Sequence, residues 1–346
     1  MASSNTTAWF RPTSVISGNT WTNASNAIDS DTGSSATSSS TIGTSTPKSG
    51  YFGDFQNAIS LPANALIVGG ELSITGRVSG TATTKELVGY LSFLPYGSTF
   101  RCPTGAILTR TSTTTGTTSH SSVQELAFPF FATDLDRLAV FAVAGVGGSS
   151  GQTGSMFLDD IQVRLTYLLP DTGKAFAQTE WKAASSYTST SGGGSGTIAW
   201  GNPGNAAVED SAYATREVGK DLTHVLLGAN WAFGIPDAAT PIGIVFDLVV
   251  GPSEGVNMSA YDWAFRQTSG GSLQGSGDSV APTGWLGGRG LLDNTVTPAT
   301  LNASWFAFGP FFGGNTSPTE SQIDLFRARV IYEENRGGGG ILLAAL

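Results

Sequence analysis

Apolar and polar residues alternate with a period of two in many short segments of the chain. Ile161, Val163 and Leu165 alternate with Gln162 and Arg164, and this is the period of a β-strand with one buried face. Further apolar segments, mostly bounded by Gly, Pro, Asp or Ser, are strand candidates: residues 65–78, 86–94, 138–145, 223–235, 242–250 and 304–312. Convincing helical periodicity is absent, and residues 133–141 predict one helical turn at most. The pattern predicts an all-β protein.

The end of each half of the chain repeats. Residues 138–167 recur as residues 303–332 at a constant offset of 165 and without a gap. The shared positions are Phe141-Ala142 with Phe306-Ala307, Gly148 with Gly313, Asp159 with Asp324, Arg164 with Arg329, and Tyr167 with Tyr332. The strand alternation recurs as Phe326, Ala328 and Val330 against Arg327, Arg329 and Ile331. We infer that one structural element occurs twice.

The beginning of each half repeats as well, as Trp-x-Asn-x-x-Asn-Ala followed by acidic residues and Ala-Thr. We call the two copies, residues 21–37 (WTNASNAIDSDTGSSAT) and 200–215 (WGNPGNAAVEDSAYAT), the opening motifs. Their offset is 179, so the loops between the two anchors differ by about 14 residues, which surface loops absorb at little cost.

These repeats predict two tandem domains with a break at Pro170, Asp171 and Gly173. Each last strand follows a Phe-Ala strand across a long Gly-rich loop, which predicts a crossing between two sheets. The predicted fold is all-β: two tandem jelly-roll β-sandwich domains with a flexible apolar C-terminal tail. We predict a first domain at 1–172, a second at 173–336, and a tether with a docking tail at 337–346.

Composition narrows the function classes. The chain has 346 residues, 12% of them charged and 40% hydrophobic, which is enough apolar content to offset the entropy of ordering. A net charge of −9 with scattered Lys and Arg argues against a nucleic-acid partner. Cys102 is the single cysteine, so an intrachain disulfide is excluded. We expect no secretory signal and no membrane insertion, because no apolar run approaches roughly 20 residues.

The opening motifs allow two interpretations. Asn and Asp side chains close turns on nearby backbone amides, so the motifs can simply shape a loop that the Trp anchors. Alternatively, their carboxylate and amide oxygens suit Ca²⁺, although the spacing is not that of an EF-hand. The candidate Ca²⁺ ligands are Asn23, Asn26, Asp29, Asp31, Asn202, Asn205, Glu209 and Asp210. No other cofactor is predicted.

Two resemblances attach to these motifs. Residues 26–39 (NAIDSDTGSSATSS) resemble the opening of galactose-binding-like jelly rolls, where such a segment leads the first strand and can hold a structural cation. Residues 200–215 resemble a phrase in tail, fibre and other virion proteins of tailed bacteriophages; the first copy has Ala24 and Ser35 where that phrase has Pro and Tyr. The resemblance implies a β-sandwich module of a virion.

Catalytic signatures are weak. His120 and His224 lie far apart in sequence, and Cys102 has no nucleophile signature. The carboxylate pairs Asp134/Asp136 and Asp159/Asp160 suit glycoside hydrolysis in principle, but the twin of Asp159 at Asp324 favours a structural use, such as a turn or a pair with an arginine. We therefore predict that the protein is not an enzyme.

Aromatic residues in the second half suggest a glycan site. Tyr261, Trp263 and Phe265 alternate along one strand candidate, and Trp285 follows in a Gly-bracketed loop. Aromatic platforms beside polar side chains suit sugar rings. The candidate glycan-binding residues are Tyr261, Trp263 and Trp285; the alternative is that this aromatic face belongs to the core.

The chain ends in four glycines and an apolar hexapeptide. Six residues cannot span a membrane, but a flexible tether with an apolar end suits docking into a groove of another subunit. The docking candidates are Ile341, Leu342, Leu343 and Leu346. The alternative is a chain end without a role.

Two functional hypotheses follow. The first is a non-enzymatic structural protein of a bacteriophage virion, peripheral in the tail, a fibre, the baseplate or head decoration. Its partners would be other virion proteins and further copies of itself, it would be assembled in the host cytoplasm, and it would contact host glycans. The second hypothesis is a carbohydrate-binding protein with a Ca²⁺-stabilised jelly roll.

Overall fold

The computed structural model describes residues 3–16, 19–29, 34–45, 48–93, 116–124, 129–191, 199–218, 224–250, 260–266, 273–279, 285–292, 294–302, 305–311 and 319–336. Within these ranges the regular structure is almost entirely β-strand, as the alternation predicts. The helical elements described are 3₁₀ turns at Ala24–Ala27, Phe55–Asn57, Ala132–Arg137 and Pro203–Ala206, and one short α-helix, α1, at Pro298–Asn302.

The strands fall into two series. Those of the first half are β1 (Ser3–Thr6), β2 (Ser14–Val15), β3 (Ala36–Thr41), β4 (Ser49–Gly53), β5 (Leu66–Ser79), β6 (Thr84–Phe93), β7 (Gly116–Gln124), β8 (Phe130–Phe131), β9 (Leu138–Gly147) and β10 (Thr153–Leu169). Those of the second half are β11 (Lys174–Gln178), β12 (Lys182–Ala183), β13 (Ser186–Ser191), β14 (Ala214–Val218), β15 (His224–Ala229), β16 (Thr240–Val250), β17 (Ala260–Arg266), β18 (Leu273–Ser279), β19 (Trp285–Leu291), β20 (Trp305–Phe311) and β21 (Thr319–Asn335).

The chain forms two compact units. One contains Thr6–Ala63 and Ile67–Tyr167; the other contains Leu168–Leu346 with the short segments Met1–Asn5 and Asn64–Leu66. We use the term first domain for the strands β1 to β10 of the first series and second domain for β11 to β21. The predicted break between residues 172 and 173 stays a prediction.

The second domain is a jelly roll of eight strands. One sheet has the order β14-β21-β16-β19, and β11 and β12 also pair with β21. The other sheet has the order β15-β20-β17-β18, with β13 added beside β15. From β14 to β21 the chain passes back and forth between the two sheets, staying in one sheet only from β17 to β18. This connectivity defines the jelly roll, so the predicted all-β sandwich fold is confirmed; the predicted tail at 337–346 lies outside the described residues.

The first domain repeats the same order. One sheet runs β3-β10-β5-β7, with β1 and β8 as additional strands, and the other runs β2-β4-β9-β6. Among the described strands of this domain, none corresponds to β18. In both domains the last strand and the strand before it lie in different sheets, which confirms the predicted crossing.

The core of the first domain lies between its two sheets. Ile161, Val163 and Leu165 of β10 are fully buried and belong to one cluster with Phe52 and Val140 of the facing sheet. Burial of each such side chain contributes about 1.5–3 kcal/mol relative to exposure. The alternation in the sequence therefore identifies the buried face correctly.

Aromatic rings fill the core of the second domain. Phe326 of β21 lies with its ring centroid 6.1 Å from Tyr187 of β13 and 5.5 Å from Trp231. The Tyr187 hydroxyl also donates to the Phe326 carbonyl oxygen and accepts from the amide of Ala184. One tyrosine thus ties β13 to a strand of the opposite sheet.

The strand predicted at residues 223–235 is wrong beyond Ala229. Asn230, Ala232 and Gly234 have left-handed backbones, with φ of 55°, 46° and 73°, and a strand cannot continue through such residues. The residues between them, Trp231 and Phe233, are buried and stack with centroids 5.7 Å apart. The apolar alternation here comes from alternating left-handed residues instead of a pleated strand.

The first domain ends the corresponding strand in the same way. After β4, Asp54 has φ of 63° and Phe55 is fully buried; after β15, Asn230 and Trp231 occupy these two positions at an offset of 176. The repeat therefore includes this left-handed residue and the buried aromatic residue after it, as well as the strands.

Candidate functional site

The opening motifs are the candidate site, because both resemblances attach to them. Their tryptophans are buried: Trp21 is 5% exposed and Trp200 is 4% exposed. The Trp21 indole Nε1 donates to the carbonyl oxygen of Ala142, 3.2 Å away. Each Trp therefore closes one region of the core, as the loop interpretation predicts.

The first Asn of each motif starts a 3₁₀ turn. Asn23 and Asn202 have left-handed backbones with φ of 54° and 47°, and they immediately precede Ala24–Ala27 and Pro203–Ala206. Asn tolerates this conformation better than most residues do, because its short polar side chain compensates locally. The backbone conformation accounts for Asn at this position.

The second Asn of each motif ties the loop to itself. Asn26 Nδ2 donates to the Ser35 carbonyl oxygen at 3.4 Å, and Asn205 Nδ2 donates to the Tyr213 carbonyl oxygen at 3.2 Å. Ser35 and Tyr213 are equivalent positions, each two residues before the final Thr of its motif. The same side-chain contact is made in both domains despite the different residue that accepts it.

The final Thr of each motif pairs with the residue after the Trp. Thr22 and Thr37 exchange two backbone hydrogen bonds of 3.0 and 2.9 Å, and Gly201 and Thr215 exchange two of 2.7 and 3.0 Å. The two ends of each loop are thereby fixed together. The Trp, the two Asn and the final Thr of the motif thus have a structural use in each domain.

A buried aspartate of the last strand holds the opening motif of the first domain. Asp159 is almost fully buried, accepts a hydrogen bond of 2.5 Å from Ser35 Oγ, and lies 3.1 Å from Arg77 Nη1. Arg77 Nη2 also donates to Ser35 Oγ at 3.1 Å, so Ser35, Arg77 and Asp159 form one hydrogen-bonded network. This confirms the structural use of Asp159 with an arginine.

Asp324, the twin of Asp159, holds the second motif through different atoms. Its Oδ1 accepts two backbone hydrogen bonds of 3.0 Å, from the amides of Asp210 and Ser211. Asp324 is also buried. The carboxylate occupies the same place in both domains, but its partners are side chains in one and main-chain amides in the other.

The candidate Ca²⁺ ligands are mostly engaged within the loops. Asp29 accepts from Ser34 Oγ at 2.9 Å, and Asp210 Oδ1 accepts from the amide of Ala212 at 2.9 Å. Glu209 is exposed, and Asp31 lies outside the described residues. Among the side chains that the structure describes, no three His, Cys, Asp or Glu gather closely enough to hold a metal ion. Calcium binding stays a prediction.

A third repeated element, which sequence reasoning missed, precedes each opening motif. Thr7 and Thr179 each form two hydrogen bonds with the last strand of their domain. The amides of Thr7 and Thr179 donate to the carbonyl oxygens of Leu165 and Val330, respectively. The amides of Leu165 and Val330 donate in turn to the hydroxyls of Thr7 and Thr179, at 2.9 and 3.1 Å. We call residues 7–11 and 179–183 the leading segments. Their shared Thr-x-Trp, at an offset of 172, is the signal that would have revealed them.

The tryptophan of each leading segment packs on the last-strand arginine. The guanidinium of Arg164 lies 4.9 Å from the Trp9 ring centroid, and that of Arg329 lies 4.7 Å from the Trp181 centroid. Arg327 also lies 5.1 Å from the Trp181 centroid. These cation–π contacts explain why the arginines recur on the outer face.

In each domain an acidic residue pairs with an arginine of the last strand, and the two acidic residues are separated by an offset of 176. Glu71 of β5 pairs with Arg164, and Asp247 of β16 pairs with Arg327 at 2.6 Å. Burial raises the pKa of the Asp247 carboxyl above its ordinary value, although Arg327 opposes the shift. The outer face of each domain therefore carries a Trp, an Arg and a carboxylate.

Three of the four carboxylates considered for hydrolysis, Asp134, Asp159 and Asp160, have structural partners, whereas Asp136 is exposed. Asp160 accepts from Arg11 Nε and Gln162 Nε2, both at 2.6 Å. Asp134 lies 4.0 Å from Arg137 within the 3₁₀ turn Ala132–Arg137. Cys102 lies outside the described residues, and so do the side chains of His120 and His224.

The glycan candidates occupy strands. Tyr261 and Trp263 lie at alternate positions of β17, where Trp263 pairs with Phe308, which in turn pairs with the buried Leu226. The sequence placed Trp285 in a loop, but it is the first residue of β19 and pairs with Val249. The side chains of all three candidates lie outside the described residues, so their role stays a prediction.

The docking candidates also lie outside the described residues. These are Ile341, Leu342, Leu343 and Leu346. Among the helices that the structure describes, none has the length and apolar character that a membrane crossing requires.

No protein-family model matches the chain, and no curated protein matches its sequence. Solved structures with similar folds include the tandem CBM22-1–CBM22-2 domains of Paenibacillus barcinonensis Xyn10C, with 9% identity, 93% of each chain covered and a TM-score of 0.27. Allantoicase from Saccharomyces cerevisiae has 8% identity over 92% of this chain and 89% of its own, with a TM-score of 0.24.

A viral protein is also among the similar structures. The STIV MCP has 10% identity, covers 90% of this chain and 99% of its own, and gives a TM-score of 0.20. All three TM-scores lie well below 0.5, so the functional argument rests on the residues of this chain.

Proposed function

We propose that this protein is a non-enzymatic structural component of a bacteriophage virion, placed peripherally in the tail, a fibre, the baseplate or head decoration. One observation carries the proposal. The motif that resembles virion proteins occurs in both domains, and in both its Trp, Asn and Thr residues serve to close the same jelly-roll loop. A stable β-sandwich module used twice suits a particle component.

The partners of the acidic residues support a non-enzymatic role. Asp159 is held by Ser35 and Arg77, and Asp160 by Arg11 and Gln162. A general acid or nucleophile needs an oxygen that can reach a substrate, whereas these carboxylates hold loops and strands in place.

Virion membership is tested by mass spectrometry of purified particles. We expect peptides of both domains at a constant ratio to the major coat protein through density-gradient purification. Loss of these peptides during the gradient, together with a monomeric protein in solution, would overturn the proposal.

The tail is the proposed means of assembly with other virion proteins and with further copies of the chain. Four glycines give it reach, and its apolar residues suit a groove or an open sheet edge. Deletion of residues 337–346 should abolish incorporation into particles and leave the unfolding transition unchanged. A variant of full length with Ser at positions 341, 342, 343 and 346 separates loss of apolar contact from loss of length. Normal incorporation of both variants would refute the tail's role.

Binding of a host-surface glycan is a second candidate function. It is favoured by the alternate placement of Tyr261 and Trp263 in β17 and by the position of Trp285 at the start of β19, in the other sheet of the same domain. Binding on a glycan array that disappears in Trp285→Ala and persists in Trp181→Phe would support it. Absence of binding by the unmodified protein would remove this candidate and leave the structural role untouched.

A further inference from the structure

Lys85 is a buried lysine that the proposed function does not use. It lies in β6 and is only 2% exposed. Its Nζ donates to the main-chain carbonyl oxygens of Ala82, at 2.8 Å, and Gly80, at 3.3 Å. An ammonium group loses its hydration when it is buried, so such a position requires compensating acceptors.

The two carbonyls belong to the turn that leads from β5 to β6 and so from one sheet to the other. Gly80 has φ of 110°, and a Cβ there would lie 2.4 Å from the Thr153 carbonyl oxygen, so only glycine fits. The Ala82 amide donates to that same oxygen at 2.8 Å, and Thr81 Oγ1 accepts from the Thr153 amide at 3.0 Å. The turn is therefore pressed against the first residue of the last strand.

This arrangement orients carbonyl dipoles toward one buried point. The hydrogen bonds around Thr153 fix the turn, and the carbonyls of Gly80 and Ala82 converge on Lys85 Nζ. Carbonyl oxygens are hard, neutral ligands that suit an ammonium group or a monovalent cation, and a cation between them relieves their mutual repulsion.

We propose that Gly80 and Ala82 form a cation site of the first domain, occupied by the chain's own Lys85 ammonium group. When the side chain is shortened, the site takes a primary alkylammonium ion.

The test is chemical rescue of Lys85→Ala. This substitution deletes three carbons and the ammonium nitrogen, which together correspond to propylammonium. We expect the melting temperature of the first domain to fall by about 5–10 °C, because the buried Ala82 carbonyl and the partly buried contact to Gly80 lose their donor. Propylammonium should restore about half of the loss in a saturable manner, and should slow hydrogen exchange of the Ala82 amide.

Two controls keep the test decisive. Tetramethylammonium at equal concentration has the charge but no N–H, and should give no saturable rescue. Lys48→Ala removes a half-buried lysine whose Nζ makes an exposed contact with Thr22 Oγ1, and should show neither a loss of this size nor the rescue. If Lys85→Ala does not fold, Lys85→Met provides the stability comparison and propylammonium is added during refolding of Lys85→Ala.

Two results would overturn the proposal. One is a Lys85→Met melting temperature within about 1 °C of the unmodified protein. The other is equal rescue by propylammonium and tetramethylammonium, or by neither. Removal of divalent cations with EDTA tests the separate prediction of Ca²⁺ in the opening motifs, and an unchanged melting temperature would count against that prediction.

Discussion

Asp159 and Asp324 occupy the same position in two copies of one fold, yet they bind different groups. In the first domain the carboxylate meets a hydroxyl and a guanidinium; in the second it meets two backbone amides. The opening motif of the second domain is one residue shorter before its Ala-Thr, and this brings the amides of Asp210 and Ser211 to the carboxylate. The architecture requires an acceptor at this point, and the local loop determines its donors.

The two aspartates also differ in whether their partners require a charged carboxylate. The amides of the second domain need an oxygen acceptor, which a neutral amide side chain also supplies. The guanidinium of Arg77 needs a negative charge. The same residue type is thus replaceable in one domain and not in the other.

The largest expected effect comes from the buried tryptophan of the opening motif, which the two domains share. Trp21→Ala and Trp200→Ala should each destabilise their own domain by about 3–5 kcal/mol, since each removes a buried indole. Urea denaturation followed by circular dichroism measures this. Trp181→Ala, at a half-buried ring, serves as control and should cost less. A large loss in one domain and none in the other would mean that the two motifs are not equivalent.

The substitutions Asp159→Asn and Asp324→Asn test whether each position requires a charged carboxylate. We expect Asp159→Asn to cost about 2–3 kcal/mol, because Arg77 loses its partner, and Asp324→Asn to cost less than about 1 kcal/mol, because the amide oxygen still accepts both bonds. Calorimetry of the full chain gives both values. An equal loss of unfolding free energy in the two variants would contradict the distinction between Asp159 and Asp324.

The strands and the duplication were predictable from sequence because both leave local signals. The period of two around Ile161 identifies a strand whose buried face is confirmed, and the offset of 165 aligns last strands that match in the structure. The period failed at Ala232, where left-handed residues reproduce the apolar alternation without a strand.

The contacts that hold the opening motifs were less predictable, because they join residues far apart in sequence. Asp159 was recognised as structural from its twin, but Arg77 lies 82 residues away and has no sequence mark that links it to Asp159. The leading segments were missed for another reason. Thr-x-Trp is too short to stand out until the last strand shows what each Thr binds.

A smaller effect is expected at the leading segments. Thr7→Val and Thr179→Val remove the hydroxyl that accepts a last-strand amide, and each should cost about 1 kcal/mol. Thr7→Ser and Thr179→Ser keep the hydroxyl and should behave like the unmodified protein. Hydrogen exchange at Leu165 and Val330 provides the local measurement, and unchanged exchange in the Val variants would disprove the contact's role.

The smallest effect concerns pH and the second domain. Burial raises the pKa of Asp247, so just above the ordinary pKa of a carboxyl the folded state binds more protons than the unfolded state, and the free energy of unfolding falls as the pH rises above about 4. Asp247→Asn should flatten this decline in urea denaturation. Glu71→Gln is the matched variant of the first domain; an equal flattening there would show that the effect is not specific to Asp247.

The place of the last strand in each sheet has a consequence for synthesis of the chain. β10 lies between β3 and β5, and β21 lies between β14 and β16. The strand that leaves the ribosome last must therefore insert between neighbours that are already made. The first domain can close while the second is being translated, but the second cannot close until Asn335 has cleared the exit tunnel. Premature termination anywhere in the last 17-residue strand leaves a sheet split through its middle.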